Sequence, residues 1–199
     1  MKRRLVSSTH RPAAPLHRGQ AGGWIEAVVG SMFSGKTQEL IRRLRLATIA
    51  RQKVQVFNSS LDTRYAKDHL VSHDSARIAS QYVSKAGEIL ARVAPDTQVI
   101  GIDEVQFFDE EIVAVCERLA DEGRRVIVAG LDQDYRGVPF PVTARIMSVA
   151  EFVTKNLAIC SVCGSPANRS QRLSVSKKLI DVGAGDKYEA RCRRCFVRS

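Results

Sequence analysis

Trp24-Ile-Glu-Ala-Val-Val-Gly30-Ser-Met-Phe-Ser-Gly35-Lys36-Thr37 decides the fold of this 199-residue chain. The apolar run Trp24 to Val29 reads as a buried strand. Gly30 to Thr37 follow in the pattern G-x-x-x-x-G-K-[ST]. Gln38 to about Ala50 then read as a helix, with Leu40, Ile41, Leu44 and Ala47 on one face and Arg42, Arg43 and Arg45 pointing elsewhere. A strand, a glycine-bearing turn and an amphipathic helix in that order build an anion nest. Gly30 and Gly35 allow backbone conformations that turn N–H groups inward, around Ser31, Met32, Phe33 and Ser34, and the helix start adds its positive dipole end. Lys36 is expected to reach the β and γ phosphates of a bound ATP, and the Thr37 hydroxyl to ligate Mg²⁺.

Outward from this stretch, Val54 to Phe57 form a second expected strand, and residues 58–76 read as polar and irregular. Ser84 to Val93 suit a short helix with Ser84 as N-cap. Thr97 to Ile102 read as a buried strand, Glu110 to Glu122 as a helix stopped by Gly123, and Arg125 to Ala129 as another strand. Residues 132–141 read as a polar loop. Strands alternating with helices imply an α/β fold of the P-loop NTPase type, with a mostly parallel sheet and helices on both faces.

Asp103 ends a core strand, where a Walker-type site needs an acid to hold the Mg²⁺ shell, directly or through water. Adjacent Glu104 should turn away from Asp103 by strand alternation and face a substrate. There it would orient water in a hydrolase, or accept a proton from the attacking hydroxyl in a kinase. Phe108 and Cys116 are expected in the core.

Apolar residues make up 44 % and charged residues 26 %, as in globular proteins, which excludes collagen, coiled coil and disorder throughout. No apolar run approaches the ~18 residues of a membrane span. The net charge of +10 favours anionic partners. Residues 1–25 carry Lys2, Arg3, Arg4, Arg11 and Arg18 and no acid, and lack the apolar core of a secretory signal. Residues 1–23 are therefore expected to be a disordered basic tail. Cys160, Cys163, Cys192 and Cys195 form two C-x-x-C pairs, the donor set of a structural Zn²⁺ site. The expected organisation is a nucleotide-binding core over 24–156 and a metal-stapled unit over 157–199, too small to fold readily without a staple.

Taken together, these blocks resemble the type II, zinc-containing thymidine kinases, from about residue 24 to the C-terminus. The resemblance is carried by Gly30 to Thr37, Asp62-Thr-Arg64-Tyr65, Ser72-His-Asp74, Asp103-Glu104-Val-Gln106-Phe107-Phe108, Gly130-Leu-Asp132-Gln-Asp-Tyr135-Arg-Gly137-Val-Pro139-Phe140, and Val182-Gly183-Ala-Gly185-Asp186-Lys187-Tyr188 with the last two cysteines. It implies transfer of the ATP γ-phosphate to the 5′-hydroxyl of thymidine. Glu104 would be the proton acceptor, Lys36 and Mg²⁺ on Thr37 and Asp103 the charge stabilisers, and Gln106 part of the nucleotide site. The base would lie among Met32, Phe107, Leu131, Tyr135 and Phe140, beneath a zinc-tethered lasso whose Leu179, Asp181, Val182 and Gly183 read its polar edge, with Tyr188 packed nearby. The resemblance also implies a homotetramer inhibited by thymidine triphosphate. The chain is expected to be cytoplasmic with no membrane partner, and the sparse aromatic platforms among its basic residues argue against a nucleic-acid partner. Ser31, Val105, Tyr135, Ala184 and Phe196 depart from the family's usual residues without removing a chemical role. From the residues alone, a nucleic-acid-stimulated ATPase with a zinc ribbon and a non-catalytic nucleotide-binding regulator remain alternatives.

Overall fold

The computed structural model describes residues 22–61, 69–71, 77–173 and 187–198. The tail over 1–21, the stretches 62–68, 72–76 and 174–186, and residue 199 lie outside the described residues. In chain order the strands and helices are β1 (Trp24–Gly30), α1 (Lys36–Ile49), β2 (Val54–Ser59), β3 (His69–Val71), β4 (Arg77–Ala79), β5 (Gln81–Val83), α2 (Gly87–Arg92), β6 (Val99–Asp103), α3 (Glu111–Asp121), β7 (Arg125–Leu131), α4 (Pro141–Val149), β8 (Phe152–Asn156), β9 (Ala158–Ile159), β10 (Pro166–Ala167), β11 (Arg169–Arg172) and β12 (Tyr188–Arg191).

Six strands make one sheet in the order β5-β2-β6-β7-β1-β8. Every pairing in it is parallel. Parallel strands need crossovers, and α1, α2, α3 and α4 supply helical cover on both faces. Leu40, Ile41, Leu44 and Ala47 of α1 pack with Val28, Val56, Val99, Ile127 and Ala129 on one face. On the other, Ile112, Val115, Cys116 and Leu119 of α3 and Ile146 of α4 pack with Ile25, Ala27, Ile100, Ile102, Val126 and Val128. Strands covered on both faces explain the near-continuous apolar runs at Ile25–Val29 and Val126–Ala129. Fully burying side chains of this size is worth about 1.5–3 kcal/mol each. Phe108 and Cys116 lie in this core, as their apolar neighbours implied.

One charged network crosses the sheet. Buried Glu26 of β1 accepts hydrogen bonds from Arg43 of α1 (2.8 Å), from Arg125 of β7 (2.6 Å) and from the Trp24 indole (2.8 Å). Arg43 also donates to Thr154 Oγ1 of edge strand β8 at 2.9 Å. Burial opposes the Glu26 charge, but the hydrogen bonds and charges of its cationic neighbours hold its carboxyl below the ordinary 4.5.

Several local expectations need correction. The helix expected over 84–93 begins at Gly87, and Ser84 does not cap it. The Glu88 carboxylate reaches back to the Ser84 and Lys85 N–H groups (3.0 and 3.1 Å) and accepts from the Ser84 hydroxyl, so Ser84 acts as a donor. The stretch 58–76 is not wholly irregular: β2 runs on to Ser59, and β3 pairs antiparallel with β4. The loop expected over 132–141 ends one residue early, because Pro141 takes the first position of α4, where its missing N–H costs nothing.

Beyond β8 the sheets are short. β9 pairs with β10 and β11 with β12, both antiparallel, and Ala158, Ala167 and Ala190 pack with Cys160 and Cys192 in a small separate cluster. Among the described residues only small side chains fill this cluster, and they bury too little to hold its geometry unaided.

Candidate active site and zinc centre

Because β6, β7 and β1 are parallel neighbours, Asp103, Leu131 and Gly30 all end at one edge of the sheet. That edge, where open α/β sheets place their ligands, gathers the candidate residues.

The loop from Gly30 to Lys36 has the backbone the sequence implied. Gly30 has φ 151° and Gly35 φ 77°, and an added Cβ at Gly30 would stand 2.3 Å from the Asn156 carbonyl oxygen of β8. Phe33, exposed at the loop tip, takes φ 63° without being glycine. Lys36 Nζ donates to the Ser31 carbonyl at 2.9 Å, which arches its side chain over the loop. Ser34 Oγ is buried without a hydrogen-bond partner among the described residues. A buried hydroxyl beside a glycine cradle fits a phosphate oxygen, so the loop suits the ATP phosphates.

Thr37 Oγ1 donates to Asp103 Oδ2 at 3.0 Å, so the first turn of α1 meets the end of β6. Asp103 is buried. Burial, and after it the charge of Glu104, push its carboxyl well above the usual carboxylate range. A hydroxyl and a desolvated carboxylate in contact are a hard oxygen donor pair of the kind Mg²⁺ takes alongside phosphates.

Glu104 is aimed by its backbone rather than by strand alternation. It takes φ 50°, ψ 44°, a left-handed conformation, just past the last residue of β6. Such a conformation costs a non-glycine residue about 1–3 kcal/mol. Its N–H returns to Asp103 Oδ1 at 2.9 Å, and its carboxylate accepts from Gln106 Nε2. Gln106, expected in the nucleotide site, uses its other amide atom to accept the Leu131 N–H at 2.9 Å. The absence of a side chain at Gly130 makes this possible, since a Cβ there would lie 2.6 Å from Gln106 Oε1.

The expected base-binding residues fall on loops and element ends. Phe107 lies in a single 3₁₀ turn after Glu104, Leu131 ends β7, Tyr135 lies in the loop that follows, and Phe140 caps α4; all four are half-buried. Half-buried Met32 is tied to β11, its N–H donating to Ser170 Oγ at 3.0 Å. Tyr188 is buried on β12. Leu179, Asp181, Val182 and Gly183 lie outside the described residues.

Cys160, Cys163, Cys192 and Cys195 bring their sulfurs within 4.8 Å of one another. Tetrahedral Zn–S bonds of about 2.3 Å put sulfurs about 3.8 Å apart, so the quartet fits zinc. The Ser165 side chain and backbone pull the Cys163 thiol down, whereas neighbouring thiols push Cys195 up. Four thiols this close cannot all ionise unless a cation offsets their charge.

A family model described as thymidine kinase matches residues 23–196. The chain belongs to the thymidine kinase family. A curated relative named thymidine kinase, from Rhodothermus sp. (strain ITI 518), is 55 % identical over 181 residues, covering 91 % of this chain and 84 % of the relative. Two solved structures are similar at low identity. One, an ATPase domain, has 11 % identity and a TM-score of 0.47, covering 66 % of this chain and 68 % of its own. The flagellar accessory protein FlaH from Methanocaldococcus jannaschii has 13 % identity and a TM-score of 0.48, covering 74 % of this chain and 76 % of its own. No helix among the described residues is long and apolar enough to cross a membrane.

Sequence reasoning gave no role to three residues in or near the thymidine kinase family's blocks: Ser170 on Met32, Arg172 against Tyr135 and Tyr188, and Asp134, whose buried carboxylate accepts the Arg136 and Val138 N–H groups at 2.8 and 2.9 Å. Asp134 could have been found as the start of an acid-led turn. Ser170 and Arg172 fall in a short polar run that carries no motif.

Proposed function

We propose that the chain is an ATP:thymidine 5′-phosphotransferase that makes thymidine monophosphate in nucleotide salvage. The observation that supports this most is the position of Glu104. Its backbone N–H donates to Asp103, which touches the phosphate loop through Thr37, and its carboxylate accepts from Gln106, which leads to the loop carrying Tyr135. An acid so placed has phosphates on one side and a nucleoside on the other.

In this reading Glu104 accepts the proton of the 5′-hydroxyl as that oxygen attacks the γ-phosphorus and ADP departs. General-base assistance of this kind is worth about 10²–10⁴ in rate. Lys36 stabilises charge on the transferred group, and the cradle from Gly30 to Thr37 fixes the triphosphate in line. Mg²⁺ held by Thr37 and Asp103 neutralises the phosphate oxygens when bound. Met32, Phe107, Leu131, Tyr135, Phe140 and Tyr188 wall the base, and the backbone of Leu179 to Gly183 reads its edge. Zinc on the cysteine quartet would be structural, holding Cys160 and Cys163 against Cys192 and Cys195 within the unit over 157–199. The working form is a cytoplasmic homo-oligomer.

ATP-dependent phosphorylation of a nucleoside panel, with metal content measured on the same sample, tests this. Thymidine-dependent ADP release and about one zinc per chain are expected, with deoxyuridine also accepted because one methyl is worth only about 1–3 kcal/mol. ADP release that needs nucleic acid and ignores nucleosides would overturn the reading.

A further inference from the structure

Arg172 occupies an unusual place for a cation. It is buried on β11, directly opposite Tyr188 of β12 in the ladder register. Its guanidinium carbon lies 3.6 Å from the centroid of the Tyr135 ring, a stacked contact. Its Nε and Nη2 both donate to the Tyr188 hydroxyl, at 3.1 and 2.6 Å. One planar group therefore presents a face to one tyrosine and an edge to the other. Tyr188 belongs to the strand that leads to Cys192, and Tyr135 to the loop between β7 and α4. The far side of that loop is fixed independently by Asp134, which accepts from Arg136 Nε at 2.8 Å as well as from the two backbone N–H groups. Asp134 anchors the loop, and Arg172 links the Tyr135 ring on that loop to the ladder of β11 and β12.

We propose that Arg172 is a positioning residue for the thymidine site: its guanidinium sets the spacing of Tyr135 and Tyr188 and so couples the zinc-held ladder to the base pocket. The residue type matters. A planar fork can stack and at once donate two hydrogen bonds that converge on one oxygen, whereas an ammonium keeps the charge but offers neither the flat face nor the fork. Lysine at this position thus separates geometry from charge. The inference rests on the thymidine kinase reading, because it assigns the two tyrosines to the nucleoside.

The test is steady-state kinetics of zinc-loaded wild type, Arg172→Lys, Tyr188→Phe and the double variant, with both substrates varied. Arg172→Lys should raise the thymidine KM about tenfold or more, with the ATP KM and kcat within about threefold of wild type, as loss of pocket geometry without loss of chemistry requires. Tyr188→Phe should raise the same KM by a smaller factor. The double variant should be no worse than Arg172→Lys alone, since both remove one contact. A wild-type thymidine KM in Arg172→Lys overturns the inference, as does a fall in kcat with both KM values unchanged. If Arg172→Lys does not fold, Tyr188→Phe with an unchanged thymidine KM overturns it by itself. Wild-type protein without thymidine-dependent turnover overturns the kinase reading and this inference together, whereas active wild type with additive variants overturns the inference alone.

Discussion

Glu104 shows how a single residue is aimed. Its left-handed backbone ends β6, turns the carboxylate out of the sheet, and leaves Gln106 to hold it. Glu104→Gln keeps the shape and the partner but removes the proton acceptor. Its kcat should fall about a hundredfold or more, as loss of a general base implies, with both KM values near wild type. A coupled ADP-release assay measures this, and a kcat within threefold of wild type would remove Glu104 from the chemistry. Alternation along the strand predicted that Glu104 turns away from Asp103, but a left-handed backbone and not alternation directs it. The pattern of apolar residues ends at Ile102, so it could place Asp103 and Glu104 at a strand end. It carries no information on a positive φ, which depends on the turn through Phe107 and on Gln106 finding the Leu131 N–H.

At the scale of elements, the long buried ones were legible and the short polar ones were not. α1 and α3 could be read because their apolar residues recur at helical spacing and meet a sheet. α4 could not, since prolines at 139 and 141 look like a loop until Pro141 is seen to start the helix. β8 is half polar because it is an edge strand, and β11 carries Arg169, Ser170, Gln171 and Arg172 with no apolar period. Two predictions belong to this scale. Leu44 is fully buried between α1 and the sheet, so Leu44→Ala should cost about 2–5 kcal/mol in urea unfolding. A cost under 1 kcal/mol would mean that α1 packs differently. If the cysteine quartet holds zinc as proposed, a strong chelator should loosen β9 to β12, whose core among the described residues is alanines and cysteines, and raise the thymidine KM. An unchanged KM in protein shown to be zinc-free would contradict that dependence.

For the molecule as a whole, the Glu26 network ties β1, α1, β7 and β8 together within the sheet. Its carboxyl is held below the ordinary 4.5, so the folded state binds that proton less readily than the unfolded chain does. The stability it supplies is complete above that ordinary value and is lost as pH falls through the lowered one. Denaturant midpoints measured from pH 7 down to pH 3 should therefore drop more steeply for wild type than for Glu26→Gln, and parallel curves would show that the network carries no such linkage. The sheet order has a further consequence, for synthesis. β1 is made first but pairs with β7 and β8, whose residues follow it by about a hundred positions or more. While the ribosome is still adding α3, the apolar run from Ile25 to Val29 has no strand on either flank. Long-range parallel pairing of this kind is slow and leaves sticky chain exposed, so a nascent fragment stopped before β7 should aggregate or engage a chaperone rather than bind nucleotide.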